Sequence, residues 1–167
     1  MKRLIFATVL LAISSIVFAT PPSEQLVRSC LQDRSAASSI VIQDLDTTKV
    51  IEEDDYSDGF NAPYYFEYRG GDVGYAERKD SKALIFMGKL YLLSSAISLG
   101  DNRGPPTDFT PSLADWSIVT EGAQQYLCVS FNFDGLGQSG DFQNVHGGYL
   151  LNTRTKNLYF SVRDIRH

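Results

Sequence analysis

Two cysteines, Cys30 and Cys128, are the only ones among 167 residues, and their state constrains every arrangement the chain can adopt. As a disulfide they tie an N-terminal element to the middle of a late one. The closed loop is about a hundred residues, for which the chain-entropy relation gives roughly 4–5 kcal/mol of stabilisation. In an oxidising compartment an even pair most simply forms one bridge. Bonding also removes both sulfurs as candidate nucleophiles.

The compartment is read from the first nineteen residues. Lys2 and Arg3 make a basic start, residues 4–18 an apolar run, and Val17 and Ala19 the small side chains of a cleavage site, which together are the pattern of a secretory signal. The apolar run of about 15 residues falls short of the roughly 20 that span a bilayer. Pro21 and Pro22 stop any helix soon after it, and no cysteine follows the run to carry a lipid. The expected organisation is a signal peptide at 1–19 and a single secreted globular domain at 20–167, periplasmic or secreted, with no stable membrane anchor after cleavage.

Removing Lys2 and Arg3 leaves 13 of the 15 basic residues against 20 acidic ones, a formal net charge of −7. Such a chain is repelled by phosphate backbones and anionic lipid surfaces, which argues against nucleic acid and membranes as partners and favours a cationic protein.

Residues 23–34 (SEQLVRSCLQDR) predict a helix. Ser23 is a capping residue, Glu24 lies in the first turn, and Leu26, Val27, Cys30 and Leu31 recur at helical spacing. Ile40, Val41 and Ile42 make a β-branched run, and Val50-Ile51 a second. Residues 64–69 (YYFEYR) and 73–77 (VGYAE) predict a hairpin around Gly70-Gly71. Residues 83–87 and 90–93 flank Gly88-Lys89 in the same way, with a helical turn expected near 94–99. Residues 100–111 (GDNRGPPTDFTP) exclude a regular element and predict a long surface loop, a length that often accompanies binding. Strands are expected at 116–121, 125–133, 148–152 and 158–165. In residues 126–133 (YLCVSFNF), Tyr126, Cys128, Ser130 and Asn132 share one face, and Leu127, Val129, Phe131 and Phe133 the other. The second face is the better core face, so Cys128 should point to a layer made by the helix. The fold class is therefore α+β, mainly β: an antiparallel sheet or sandwich of roughly six to eight strands with one N-terminal helix linked by a disulfide.

Several motifs are candidates for chemistry. Residues 135–140 (GLGQSG) match G-x-G-x-x-G to the letter, but the following residues offer no amphipathic helix for a dinucleotide-binding unit. Asp141 stands where a nucleophile elbow needs its second glycine. His146 lies near Asp134 and Asp141 in sequence, the only cluster from which a base oriented by a carboxylate could be built. Glu67 and Glu77 could face each other across a hairpin, as paired carboxylates do in glycoside hydrolysis. No Cys/His cluster or H-E-x-x-H occurs, and no metal, cofactor or catalytic residue is expected.

Residues 52–59 (EEDDYSDG) are dense in like charge and predict a solvated loop. An EF-hand reading fails because Tyr56 and Tyr65 fall where oxygen ligands are required, counting from Asp54. Aromatic residues follow directly. Apolar anchors beside carboxylates are what a protein-binding surface needs, so Asp54, Asp55, Tyr56, Asp58, Phe60 and Tyr64 are the candidate partner-binding residues, together with Asp101 and Arg103 from the long loop. In size, signal and compartment, though not in motif, the chain is similar to small periplasmic inhibitors, including immunity proteins that neutralise toxins. The expectation is an exported, non-enzymatic protein-binding domain of that kind. A small envelope hydrolase and an envelope assembly factor are the alternatives.

Overall fold

The computed structural model describes residues 20–100, 104–132 and 145–164. The glycine-rich motif at 135–140, Asp134, Asp141, Asp101, Arg103 and residues 1–19 lie outside them. Helix α1 (Glu24–Gln32) precedes β1 (Ile40–Asp44), β2 (Ile51–Ser57), β3 (Phe60–Tyr68), β4 (Gly71–Arg78), β5 (Ser81–Phe86), β6 (Lys89–Leu92) and the two-residue β7 (Ile97–Ser98). After the proline-rich segment come β8 (Asp115–Glu121), β9 (Gln124–Asn132), β10 (Val145–Asn152) and β11 (Leu158–Asp164). The strands form a six-stranded sheet, β1-β8-β9-β10-β11-β7, and a five-stranded sheet, β2-β3-β4-β5-β6. All pairings are antiparallel except the short β7–β11 contact.

The mainly β class with one N-terminal helix is the observed architecture. Strands number eleven among the described residues, more than the six to eight expected; the one that carries too little pattern to be read from sequence is the two-residue β7, within the stretch expected as a helical turn. α1 starts where the capping residue sits: Ser23 Oγ accepts from the Leu26 amide at 3.1 Å. It ends at Asp33, whose φ of 46° is left-handed.

Strands β2 to β6 are an uninterrupted meander joined by two-residue turns, as the pairs Ser57↔Phe60, Tyr68↔Gly71, Arg78↔Ser81 and Phe86↔Lys89 show. Three of these turns, Asp58-Gly59, Arg69-Gly70 and Met87-Gly88, have positive φ at both positions, the twist that matches flanking strands. Two turns therefore lie one residue earlier than expected: Gly71 belongs to β4 and Lys89 to β6.

The sheets pack face to face. Tyr64, Phe66, Val73, Leu84 and Phe86 of the smaller sheet meet Trp116, Ile118, Leu127, Val129, Tyr149 and Phe160 of the larger. The alternation in β9 runs as read: Leu127, Val129 and Phe131 enter this core, while Tyr126 and Cys128 turn to the opposite face. There they meet Leu26, Val27, Cys30 and Leu31 of α1, and Cys30 and Cys128 are bonded with Cα atoms 5.7 Å apart. Part of the long loop is also packed. Phe109 stacks on Phe131 at 4.5 Å, the Tyr149 hydroxyl donates to the Pro106 carbonyl, and Lys82 Nζ donates to the Thr107 carbonyl and pairs with Asp108.

Candidate functional site

The acidic run is not a loop. Residues 51–57 are strand β2, the edge of the five-stranded sheet, pairing with β3 alone among the described residues. The like charges are tolerated because residues 51–55 are all exposed, and charge on an edge strand discourages pairing with another copy. The pairing is irregular, with register shifts between Ile51 and Glu53 and again before Ser57. Asp55 sits at a φ of 59°, its amide donating to Asn61 Oδ1 at 3.2 Å, so the edge is bulged there and bends.

The six described candidates divide sharply. Asp54, Asp55 and Asp58 are exposed, and no ion pair among the described residues engages them or Glu52. Tyr56 is half-buried. Its ring lies 5.3 Å from that of Tyr65, and its hydroxyl crosses β3 to donate to Asp72 Oδ2 on β4 at 2.7 Å. Tyr65 donates to Glu53 Oε2 at 2.9 Å. Both phenols are pushed above the ordinary tyrosine value, first by burial and then by the carboxylates they bond. Glu53 and Asp72 thus hold tyrosines down on the sheet.

Phe60 and Tyr64 are not surface anchors. Phe60 is only 3% exposed, with the Arg78 guanidinium 4.6 Å above its ring and Arg78 Nη1 donating to the Asp58 carbonyl at 3.0 Å. Tyr64 is 8% exposed and stacks on Trp116 at 5.8 Å inside the sandwich. Aromatic rings next to carboxylates in sequence suggest one surface, but the register shift in β3 between Asn61 and Tyr64 parts them: Tyr64 enters the core between the sheets and Phe60 is covered on the outer face.

Exposed apolar side chains at the edge come instead from residues outside the candidate set, the sequence marking Val50 and Ile51 only as a β-branched run. Val50 and Ile51 are 40% and 46% exposed, and Leu113 79%. Val50, Glu52, Pro63, Tyr64, Pro111 and Ser112 line a cleft of about 300 Å³ at the start of β2. A second hollow of about 390 Å³ adjoins it, bordered by Asp46, Lys49, Ile51, Phe66 and Glu67. The turn beside the first cleft is held by Trp116, whose Nε1 donates to the Pro111 carbonyl at 2.9 Å. Residues 50, 63 and 111 are too far apart in the chain for any local pattern to group them.

Of the two catalytic arrangements, the histidine cluster has its carboxylates, Asp134 and Asp141, outside the described residues, and the glutamate pair does not assemble. His146 Nδ1 lies 2.7 Å from the Leu31 carbonyl, so the imidazole donates to the last turn of α1 and acts as its C-terminal cap. Glu67 pairs with Asp72 and Glu77 with Asn61; the two glutamates are about 17 Å apart along the hairpin, at ~3.3 Å per residue. A hollow of about 530 Å³ between turns, lined by Thr20, Gln124, Asn152, Arg154 and Thr155 among others, has no carboxylate, histidine or thiol. No group of three or more His, Cys, Asp or Glu able to hold a metal occurs among the described residues, and no described helix is long and apolar enough to cross a membrane. The chain matches no protein-family model, no curated protein and no solved structure.

Proposed function

We propose that this chain is an exported, non-enzymatic protein-binding domain that works in the periplasm or outside the cell, as an inhibitor or toxin-neutralising immunity protein does. The observation that carries the reading is the pairing of unengaged carboxylates at Glu52, Asp54 and Asp55 with an apolar cleft on one sheet edge. Charge of one sign steers a cationic partner to the surface, and the cleft supplies desolvated area for affinity. The secretory pattern of residues 1–19 and the Cys30–Cys128 bond support the compartment. The capping role of His146 weighs against the hydrolase alternative.

The test is capture from an envelope extract with the exported protein as bait, beside a variant carrying Asp54→Lys and Asp55→Lys. Both residues are exposed, so the variant should keep its fold, with a small drop in thermal midpoint because the φ of 59° at position 55 suits aspartate better than lysine. The expected result is a partner held by the native protein and lost by the variant. Identical capture by both would remove the acidic edge from the function.

A further inference from the structure

We infer that the partner segment adds to the five-stranded sheet as an extra strand along residues 50–54, and that this segment is extended and basic with one apolar side chain seated in the cleft. The inference rests on the protein-binding reading above and specifies its mode. Four strands lie at sheet edges: β1 with five residues, β2 with seven, β6 with four and β7 with two. β2 is the longest of these, and β3 is its only pairing partner among the described residues. An edge of that length is a template for another strand.

What protects β2 from a second copy of itself also selects its guest. Glu52, Glu53, Asp54 and Asp55 are consecutive and exposed, so an identical strand laid alongside would set like charges opposite one another. A strand of lysines or arginines meets the opposite condition. Like-charge rejection and opposite-charge attraction then arise from the same four residues.

The cleft sets the position. Val50 and Glu52, two residues apart, both line it with Pro63, Tyr64 and Pro111. Successive same-face side chains of an added strand stand two residues apart, so an apolar residue in the cleft leaves its same-face neighbours beside Glu52 and Asp54. The far limit is the bulge. At Asp55 the backbone turns to positive φ and its amide is taken by Asn61, which ends the extended backbone of the edge after Asp54. The guest therefore pairs over about five residues, short for a strand but within the ordinary range.

The probe is the peptide acetyl-Lys-Thr-Lys-Thr-Val-Thr-Lys-Thr-Lys-amide, in which the one valine has lysines as its same-face neighbours in either strand direction, titrated into the isotopically labelled protein expressed with its own leader and purified after export. A second peptide has the same side chains with alternate backbone nitrogens methylated, which keeps the charge and removes the ladder donors. The expected result is saturable binding, with amide shifts and slowed hydrogen exchange centred on residues 50–54. Methylation should weaken binding about tenfold or more, and Glu52→Lys with Asp54→Lys should weaken it by a similar factor. Val50→Asp, at an exposed position in the cleft, should also weaken it without changing the fold. Equal binding of the methylated peptide, shifts elsewhere in the protein, or no binding would overturn strand addition. Envelope capture that still depends on Asp54 and Asp55 after such a result would leave the protein-binding reading standing. Capture indifferent to both residues would overturn that reading itself.

Discussion

The two sheets of this sandwich are both apolar on their outer faces, and they cover those faces in opposite ways. The six-stranded sheet has a separate cover. α1 lays Leu26, Val27, Cys30 and Leu31 onto Val119, Tyr126, Leu150 and Tyr159, and one covalent bond fixes it there. The five-stranded sheet has no helix over it among the described residues and shields itself. Ala62, Ala76, Ala83 and Gly74 keep its outer surface thin, Phe60 and Tyr65 lie across it, and Tyr56 and Arg78 close it at the top. A helical cover tolerates ordinary side chains below, because it can stand off from the sheet. A self-made cover demands small residues and leaves the edge strand free, which is where the candidate site lies.

The largest test of this contrast is removal of the bond. Cys30 and Cys128 are 98 residues apart in sequence, and replacing both with serine should cost about 4–5 kcal/mol of unfolding free energy on the loop-entropy relation. A guanidinium melt of the disulfide-bonded protein, compared with the double variant, measures it. Equal midpoints would mean that α1 is held by packing alone and that the staple is incidental.

A pair of glycines then separates the two kinds of cover. A Cβ at Gly74 would lie 2.2 Å from the Tyr64 carbonyl oxygen and 2.5 Å from the Tyr65 Cα, both backbone atoms. At Gly148, under α1, it would lie 2.8 Å from Leu31 Cδ2, the movable end of a side chain, and 3.1 Å from the Val129 carbonyl oxygen. Gly74→Ala should therefore cost about 3 kcal/mol or more and Gly148→Ala about 1 kcal/mol, spanning the usual range for overpacking. The measurement is denaturant unfolding of each variant. The reverse order would show that the helical cover is the rigid one.

The same contrast marks what sequence could and could not reveal. α1 was legible because a capping serine, helical spacing and a cysteine on the apolar face all agree, and β9 because its alternation is strict. The helix-covered half is thus written in local patterns. The self-covered half is written in pairs of residues distant along the chain. β2 has no core-facing alternation, so Glu52 to Asp55 read as a solvated loop. Arg69 and Met87 occupy positive-φ turn positions that composition assigns to glycine, which shifted two turns by a residue. Phe60 and Tyr64 read as surface because their carboxylate neighbours are adjacent in sequence. Burying them depends on the β3–β4 register, which shifts between Asn61 and Tyr64 around Pro63, where a residue without an amide donor is accommodated.

The smallest effect falls on the top of the self-made cover. Arg78 is exposed, yet its guanidinium sits 4.6 Å over the Phe60 ring and reaches the Asp58 carbonyl in the turn below. Replacing it with alanine removes a cation–π contact at an exposed site and a turn hydrogen bond, and should cost about 1 kcal/mol. Arg78→Lys keeps the charge but not the planar group that both covers the ring and donates to the carbonyl, so it should recover only part of the loss. The informative readout is hydrogen exchange. If the outer face of the five-stranded sheet is sealed by its own side chains, amides at 60–62 and 76–78 should exchange faster in Arg78→Ala, while those beneath α1 keep their native rates. Uniform acceleration across both sheets would mean that the covers are one cooperative unit and that their difference is only architectural.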